Sequence, residues 1–180
     1  KLICKKIIIT SLLEAELIKL FSNAWRYINF SISNQFYMIC DRFKIDFKVL
    51  RKNMIDGYDR NKGIPYAGFA SGPCLYKDTA QLNSFLNNSF SLGIAATKIN
   101  QGFTKFIYKK IKEEFKQKLK KKKIGILGVA FKPNIDDIRN SLSIDLYKFL
   151  KKNKLKVKIL EEFAKMEELI DKKKLINESD

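Results

Sequence analysis

Histidine is absent from this 180-residue sequence, and the three cysteines, Cys4, Cys40 and Cys74, lie far apart with no CxxC spacing. Structural zinc sites are built mainly from cysteine and histidine at short spacings, so the sequence argues against a metal centre. The same wide separation argues against a disulfide framework. Without histidine, the chain also cannot use the general base that proteins use most often.

Long apolar runs are absent as well. No stretch approaches the roughly 18 apolar residues of a membrane-spanning helix. Residues 1–10 are too short and too charged at both ends for a signal peptide. We therefore expect a cytoplasmic protein that does not enter a membrane. A content of 46% hydrophobic and 12% aromatic residues is enough for a core in one domain or two small ones.

Acidic residues are few relative to basic ones, so the net charge is +17, and most of the basic residues are lysines. Clustered positive charge is the electrostatic footprint of nucleic-acid binding. The densest run, residues 116–123, instead follows a predicted helix, where cations complement the helix dipole and where a linker would lie. We expect nucleic acid not to be the main partner, and a basic nucleic-acid binder stays as the third of three hypotheses.

A long amphipathic helix is predicted near the start of the chain. Ser11 and Glu14 have capping-box spacing, and apolar residues then recur every three or four positions through about Arg42. These residues occupy more than one helix face, so the helix must be covered on more than one side. In a chain this short, that favours a homodimer. The residues expected in its interface are Trp25, Ile28 and Ile32.

Further helices are predicted in the first two-thirds of the chain, which we interpret as one helical domain, residues 1–119. They cover a short segment with Val49, Leu50 and Met54, then residues 79–85, and then residues 91–115. Residues 5–10 form a β-branched run that is typical of a strand or of the end of one.

The pattern changes after the lysine run, where residues 120–180 predict a second domain. The predicted order is a strand over residues 124–131, a helix over 141–152, a strand over 155–159 and a helix over 164–176. This is a βαβ unit, which belongs to a parallel sheet. The fold class is therefore α/β overall, a helical domain followed by the first βαβ unit of a Rossmann-like domain. Two parallel strands cannot cover both faces of a sheet, so we expect this domain to be truncated.

Residues 68–78 carry the strongest chemical signal. Two glycines, a serine and a proline surround Cys74, and Lys77 and Asp78 follow. Backbone with little side-chain bulk approaches a ligand closely, and a thiol near a cation is more easily ionised to a nucleophile. These features indicate an active-site loop. The alternative is that Cys74 is a small buried hydrophobic residue in a glycine-rich turn.

Three blocks of sequence resemble, in order, the UDP-glucose/GDP-mannose dehydrogenase family of NAD-dependent enzymes. Residues 73–79 resemble its catalytic-cysteine loop, and residues 14–23 resemble its central-helix signature. Residues 123–133 with 136–141 resemble the opening of its nucleotide-sugar-binding domain. The resemblance implies oxidation of a nucleotide sugar to a uronic acid through a cysteine thiohemiacetal and thioester.

The resemblance also implies catalytic roles. Cys74 would be the nucleophile, Lys19 and Asn23 would donate hydrogen bonds to the developing oxyanion, and Asp78 would orient water or share a proton. By pattern alone, Lys19 and Asn23, at i and i+4, are equally consistent with a polar stripe on a helix face that also carries Glu16.

Binding roles follow from the same resemblance. The residues implied for the nucleotide-sugar substrate are Tyr66, Gly68, Phe69, Gly72, Phe131, Lys132 and, reaching into the site of a partner subunit, Arg60. Lys77 and Arg139 are implied to contact the phosphates of NAD. Nothing in the chain matches the GxGxxG turn of the family's dinucleotide-binding domain. We therefore expect a fragment of a longer enzyme, inactive on its own.

Two function hypotheses rank above nucleic-acid binding. The first is a nucleotide-sugar 6-dehydrogenase that lacks its cofactor domain here. The second is a non-catalytic dimerisation or nucleotide-sugar-binding remnant.

Overall fold

The computed structural model describes residues 7–164, 176, 177 and 179. The α-helices are α1 (Leu12–Arg42), α2 (Phe47–Ile55), α3 (Pro73–Phe85), α4 (Ser91–Phe115) and α5 (Leu142–Lys152). The strands are β1 (Lys123–Leu127) and β2 (Lys156–Leu160), and short 3-10 helices cover Asp59–Asn61 and Lys116–Lys121. The predicted α/β class is confirmed. The division into residues 1–119 and 120–180 stays a prediction.

The long helix α1 begins at the predicted capping box. The Ser11 hydroxyl accepts a hydrogen bond from the Glu14 backbone N–H, and the Glu14 carboxylate accepts one from the Ser11 N–H. Hydrogen bonds from Thr10 and Ser11 lower the pKa of Glu14 to about 2. From there α1 packs against α3 and α4. Its buried contacts in this helical layer include Leu20, Ala24 and Tyr27.

A buried amide pair joins the two longest helices to the loop that precedes α3. Asn34 in α1 and Asn100 in α4 are both fully buried, and the Asn34 side chain donates to the Asn100 carbonyl oxygen at 2.9 Å. Asn100 donates in turn to the backbone carbonyl of Tyr27 at 3.0 Å. The side-chain oxygen of Asn34 accepts the N–H of Gly68 at 2.8 Å. Because buried amides need partners, this pairing fixes where the loop leaves the helices.

The two strands pair in parallel, as predicted, with Ile124 opposite Val157 and Ile126 opposite Ile159. Helix α5 connects them and packs on the sheet. The fully buried core here includes Val129, Leu150 and Ile159. Side chains of α4 pack against the same core, so the sheet and the helical layer are in direct contact. This contact brings the turn after β1 close to the loop before α3.

Two helix and strand boundaries differ from the sequence prediction, one predicted strand is not formed, and one predicted helix is not tested. Helix α3 begins at Pro73 rather than at residue 79, because proline is favoured in the first helical turn. Strand β1 ends at Leu127 rather than at residue 131, because Gly128 turns the chain with φ +84°. Residues 7–10 are not a strand. The predicted helix over 164–176 lies almost entirely outside the described residues.

An open apolar groove of about 300 Å³ lies between α1 and the end of α3. Trp25 beside it is 68% exposed, and Phe21 is 57% exposed. The lining residues are Phe21, Ala24, Trp25, Ile28, Leu82, Leu86 and Phe90. Contiguous apolar surface of this kind is typical of a contact with another protein chain. In the described part of the chain, no helix is long and apolar enough to cross a membrane.

Candidate active site

Cys74 lies in the first turn of α3, and its side chain is exposed. Pro73 occupies the start of the helix and Gly72 caps it. A helix N-terminus stabilises negative charge, so the position suits a thiolate nucleophile. The alternative of a buried structural cysteine does not apply to Cys74, whereas Cys40 in α1 is 4% exposed and does fit that description.

Gly72 holds the chain in a conformation that other residues rarely adopt. Its φ is +102°, and a Cβ atom there would stand 2.7 Å from the Cδ2 atom of Phe131. The N–H of Gly72 donates to the carbonyl of Asn140 at 3.3 Å, and the Ser71 hydroxyl accepts from the N–H of Leu142 at 3.0 Å. These contacts join the Cys74 turn to the loop before α5 and to the turn after β1.

Three of the expected catalytic residues form one cluster. Asn23 donates to Asp78 Oδ2 at 2.6 Å, and Lys19 Nζ lies 3.5 Å from the same oxygen. The Asp78 side chain is 1% exposed while that of Lys19 is 62% exposed. Lys19 and Asn23 are one turn apart on α1, and Cys74 and Asp78 are one turn apart on α3, so the packing of α1 on α3 assembles the group.

The second carboxylate oxygen of this cluster has no hydrogen-bond partner. Asp78 Oδ1 is buried and accepts no bond from the described residues. An unpartnered buried oxygen costs about 1–3 kcal/mol or more, so it favours a bound donor such as water. The cluster therefore combines two donors, Lys19 and Asn23, with one carboxylate oxygen free to accept.

A cavity of about 340 Å³ opens beside the thiol. Six of the predicted site residues line it: Asn23, Phe69, Gly72, Cys74, Phe131 and Lys132. The sequence analysis did not predict Arg26 and Phe30, which line it too. Arg26 and Phe30 follow Asn23 at i+3 and i+7 on α1, so the helical period was the signal that would have found them.

Other predicted binding residues lie outside this cavity. Gly68 is held by Asn34, and Tyr66 is 62% exposed, with the Arg51 guanidinium 3.9 Å from its ring centroid. Arg60 is exposed in the short 3-10 helix, and Lys77 is exposed on α3. The roles given to these residues stay predictions.

Arg139 pairs with Asp137. Its Nη2 lies 2.7 Å from Asp137 Oδ2, and the hydrogen bonds raise the pKa of Arg139 and lower that of Asp137 to about 2. Arg139 is also close enough to Cys74 for an electrostatic interaction. Among the described residues, no group of three or more potential ligands could hold a metal ion.

Comparison with known proteins places the chain in a family. Residues 13–102 match the central domain of the UDP-glucose/GDP-mannose dehydrogenase family, and residues 125–179 match its UDP binding domain. These are oxidoreductases that act on nucleotide sugars. The chain belongs to the UDP-glucose/GDP-mannose dehydrogenase family, which confirms the resemblance noted in the sequence.

Two curated relatives illustrate the range of the family. The chain is 31% identical over 152 residues to a UDP-glucose 6-dehydrogenase of Rickettsia bellii, a match that covers 81% of this chain and 34% of that protein. It is 30% identical over 139 residues to a UDP-N-acetyl-D-mannosamine dehydrogenase of Campylobacter jejuni, covering 77% of this chain and 34% of that protein. The chain thus spans about a third of the length of the relatives that it matches.

Solved structures show the same fold. A UDP-D-ManNAc dehydrogenase from Pyrococcus horikoshii superimposes with a TM-score of 0.82 at 23% identity, covering 97% of this chain and 42% of that one. A UDP-glucose dehydrogenase from Pyrobaculum islandicum gives 0.79 at 24% identity, covering 92% and 41%.

Proposed function

We propose that this chain supplies the nucleophile and the sugar pocket of a UDP-sugar 6-dehydrogenase, which oxidises the sugar 6-hydroxyl to a uronic acid with NAD. The observation that carries the proposal is the exposed Cys74 thiol at a helix N-terminus, beside a cavity that Asn23 also lines. The cluster of Lys19, Asn23 and Asp78 supports it, because it adds hydrogen-bond donors and a carboxylate beside a nucleophile.

In the proposed mechanism, the Cys74 thiolate attacks the carbonyl carbon of the sugar aldehyde. A C–S bond forms, and the carbonyl π electrons move to oxygen as an oxyanion. Lys19 and Asn23 donate to that oxygen, and preorganised donors of this kind are usually the largest electrostatic contribution to catalysis. Loss of a hydride from the thiohemiacetal carbon to an oxidant, for which NAD is proposed, would convert the thiohemiacetal to a thioester. In the hydrolytic step, water adds to the thioester carbonyl and the C–S bond breaks to release the thiolate. Asp78 would accept the proton of that water through Oδ1, its free oxygen.

The substrate side of the cavity carries positive charge. Arg26 and Lys132 line it, and none of its lining residues is a carboxylate. Two cations suit the oxygens of a diphosphate, which an arginine contacts through a planar fork and a lysine as a point charge. We propose that these side chains hold the diphosphate while Phe131 packs beside the nucleotide. Because one cavity contains Arg26, Lys132 and Cys74, we propose that a single ligand contacts both the cations and the thiol.

NAD would supply the hydride acceptor for the oxidations. Within the described residues, Lys77 and Arg139 suit contacts to its phosphates, but both are exposed and Arg139 is already paired with Asp137. A glycine-rich turn that presents backbone N–H groups to a pyrophosphate is not found in the described ranges. These residues therefore do not fit a complete NAD site, and no step above depends on their binding NAD.

The thiol assignment can be tested without cofactor. We expect UDP-glucose or UDP-N-acetylmannosamine to bind the purified protein and to slow alkylation of Cys74 by iodoacetamide, because the sugar would occupy the cavity beside the sulfur. Peptide mass spectrometry reads each cysteine separately, and buried Cys40 serves as the internal control. Unchanged Cys74 alkylation at saturating nucleotide sugar would contradict the proposal.

Turnover separates the enzyme from a non-catalytic remnant. In a chain that also carries a dinucleotide-binding domain, NAD and the preferred UDP-sugar should give the uronic acid, detected by mass spectrometry. Binding and protection of Cys74 without any acid would favour the second hypothesis, a nucleotide-sugar-binding or dimerisation module.

We further propose that the apolar groove along α1 binds a second copy of this chain. Replacing Trp25 with glutamate should weaken the dimer at least about 30-fold, since tryptophans at interface centres contribute about 2 kcal/mol or more. Trp25 is 68% exposed, so the substitution should leave the monomer folded. Sedimentation velocity measures the association. Leu92→Glu, at an exposed position on α4 outside the groove, is the matched control. A wild-type monomer at micromolar concentration would contradict the dimer.

A further inference from the structure

Glu161 follows directly after β2, at the carboxyl edge of the sheet. Its Oε2 atom accepts hydrogen bonds from the backbone N–H groups of Val129 at 2.8 Å and Ala130 at 2.7 Å. Its Oε1 atom accepts from the backbone N–H groups of Glu162 at 2.9 Å and Phe163 at 3.3 Å. Burial raises the pKa of Glu161, but these four hydrogen bonds outweigh it, and the pKa is lowered.

The turn that Glu161 holds leads into the Cys74 cavity. Val129 and Ala130 come immediately before Phe131 and Lys132, which line that cavity. On the far side, the Phe131 N–H donates to the carbonyl of Asp137 at 3.2 Å. Glu161 thus anchors residues 129 and 130 on the β2 side. Because its carboxylate is charged, these hydrogen bonds are stronger than hydrogen bonds between neutral groups.

A carboxylate near the end of a strand has a different role in many nucleotide-binding folds, where an acidic side chain accepts hydrogen bonds from ribose hydroxyls. Glu161 does not suit that role. A carboxylate offers about four lone-pair sites, and four backbone N–H groups already use the carboxylate of Glu161. It acts on the protein's own backbone.

We propose that Glu161 is a positioning residue, which fixes the turn carrying Phe131 and Lys132 against the Cys74 cavity and so sets the affinity for a nucleoside diphosphate without touching it. This inference rests on the proposed function, that the cavity binds a nucleotide sugar. A turn that is not already ordered weakens binding, because apparent affinity falls with the population of the binding-competent form.

The test compares Glu161→Gln with Glu162→Gln in the purified protein, by calorimetric titration with UDP. The amide nitrogen of glutamine cannot accept, so Glu161→Gln leaves one pair of backbone N–H groups without its acceptor. A second cleft, of about 550 Å³, lies at the carboxyl edge of the sheet, and its lining includes Glu161, Glu162 and Lys132. The Glu162 carboxylate has neither a hydrogen bond nor an ion pair among the described residues. We expect about tenfold weaker UDP binding for Glu161→Gln and at most about a twofold change for Glu162→Gln.

Two further arms distinguish positioning from direct contact. With 2′-deoxy-UDP, the loss caused by Glu161→Gln should be the same as with UDP, whereas a ribose contact would make the loss smaller. In a protein that already carries Lys132→Gln, Glu161→Gln should weaken UDP binding by less than tenfold, because Glu161 acts through the Lys132 side chain.

Unfolding midpoints check that each variant is folded. If Glu161→Gln is unfolded at the assay temperature, Glu161→Asp, which keeps the charge on a shorter stem, replaces it with the same expectations.

The outcomes separate the two proposals. UDP binding by the parent protein with no loss in Glu161→Gln would overturn the positioning role and leave the proposed function standing. Equal losses in the two glutamine variants would show a charge effect and also overturn it. No UDP binding by the parent protein would overturn both.

Discussion

Replacing Cys74 with serine is expected to abolish uronic acid formation while nucleotide-sugar affinity changes by less than about twofold. A serine hydroxyl is a far weaker nucleophile than a thiolate near neutral pH, and the chain contains no histidine that could activate it as a base. Because the side chains have nearly the same volume, the cavity that Cys74 lines should keep its shape.

The measurement is single-turnover product analysis in a catalytically complete protein, with titration of the UDP-sugar in parallel. Cys40→Ser is the control for loss of any thiol. It removes a buried sulfur from α1 and should cost stability rather than the chemical step. Uronic acid production by Cys74→Ser at the parental rate would remove Cys74 from the mechanism.

Replacing Lys19 with alanine is expected to lower kcat by about 10²- to 10³-fold, the usual cost of deleting one oxyanion donor. Lys19 Nζ lies 3.5 Å from Asp78 Oδ2 and its side chain is 62% exposed, so its removal should disturb the fold little. Since the donor acts on charge that develops during the reaction, KM should change much less than kcat.

Lys98→Ala is the matched control, because it deletes the same charge from an exposed position on α4. Steady-state kinetics at several UDP-sugar concentrations separate kcat from KM. A large rise in KM with kcat unchanged would show that Lys19 binds substrate and does not stabilise the transition state.

Asn23→Ala should lower kcat as Lys19→Ala does, but it should also destabilise the fold, since it removes a hydrogen bond to the buried carboxylate of Asp78.

The cavity beside Cys74 is formed by residues of the helical layer and by residues of the turn after β1, so the proposed site depends on the contact between the helical layer and the sheet. Cys74 belongs to the helical layer, whereas Phe131 and Lys132 belong to the turn after β1, yet all three line one cavity. Gly72 allows this because only a residue without a side chain fits against Phe131. The proposed catalytic and binding groups are thus positioned by the same contact.

The sequence by itself determined most of the secondary structure. The capping box of Ser11 and Glu14 and the apolar period define α1, and the change of period after the lysine run defines the parallel strands. These features depend on neighbours within a few residues, so they can be predicted locally. The family resemblance also lay in short contiguous blocks, and contiguous blocks are recognisable in the sequence alone.

Only the tertiary structure decided how the site is assembled. Asn23 and Asp78 are 55 residues apart in sequence and meet because α1 packs on α3. The sequence analysis did not predict that Arg26 lines the cavity. It also gave no role to Glu161, because the hydrogen-bond donors of Val129 and Ala130 lie 32 and 31 residues away in the sequence. Periodicity states which face of a helix is polar. The packing between elements decides which distant backbone group or carboxylate contacts that face. A local sequence pattern does not encode this packing.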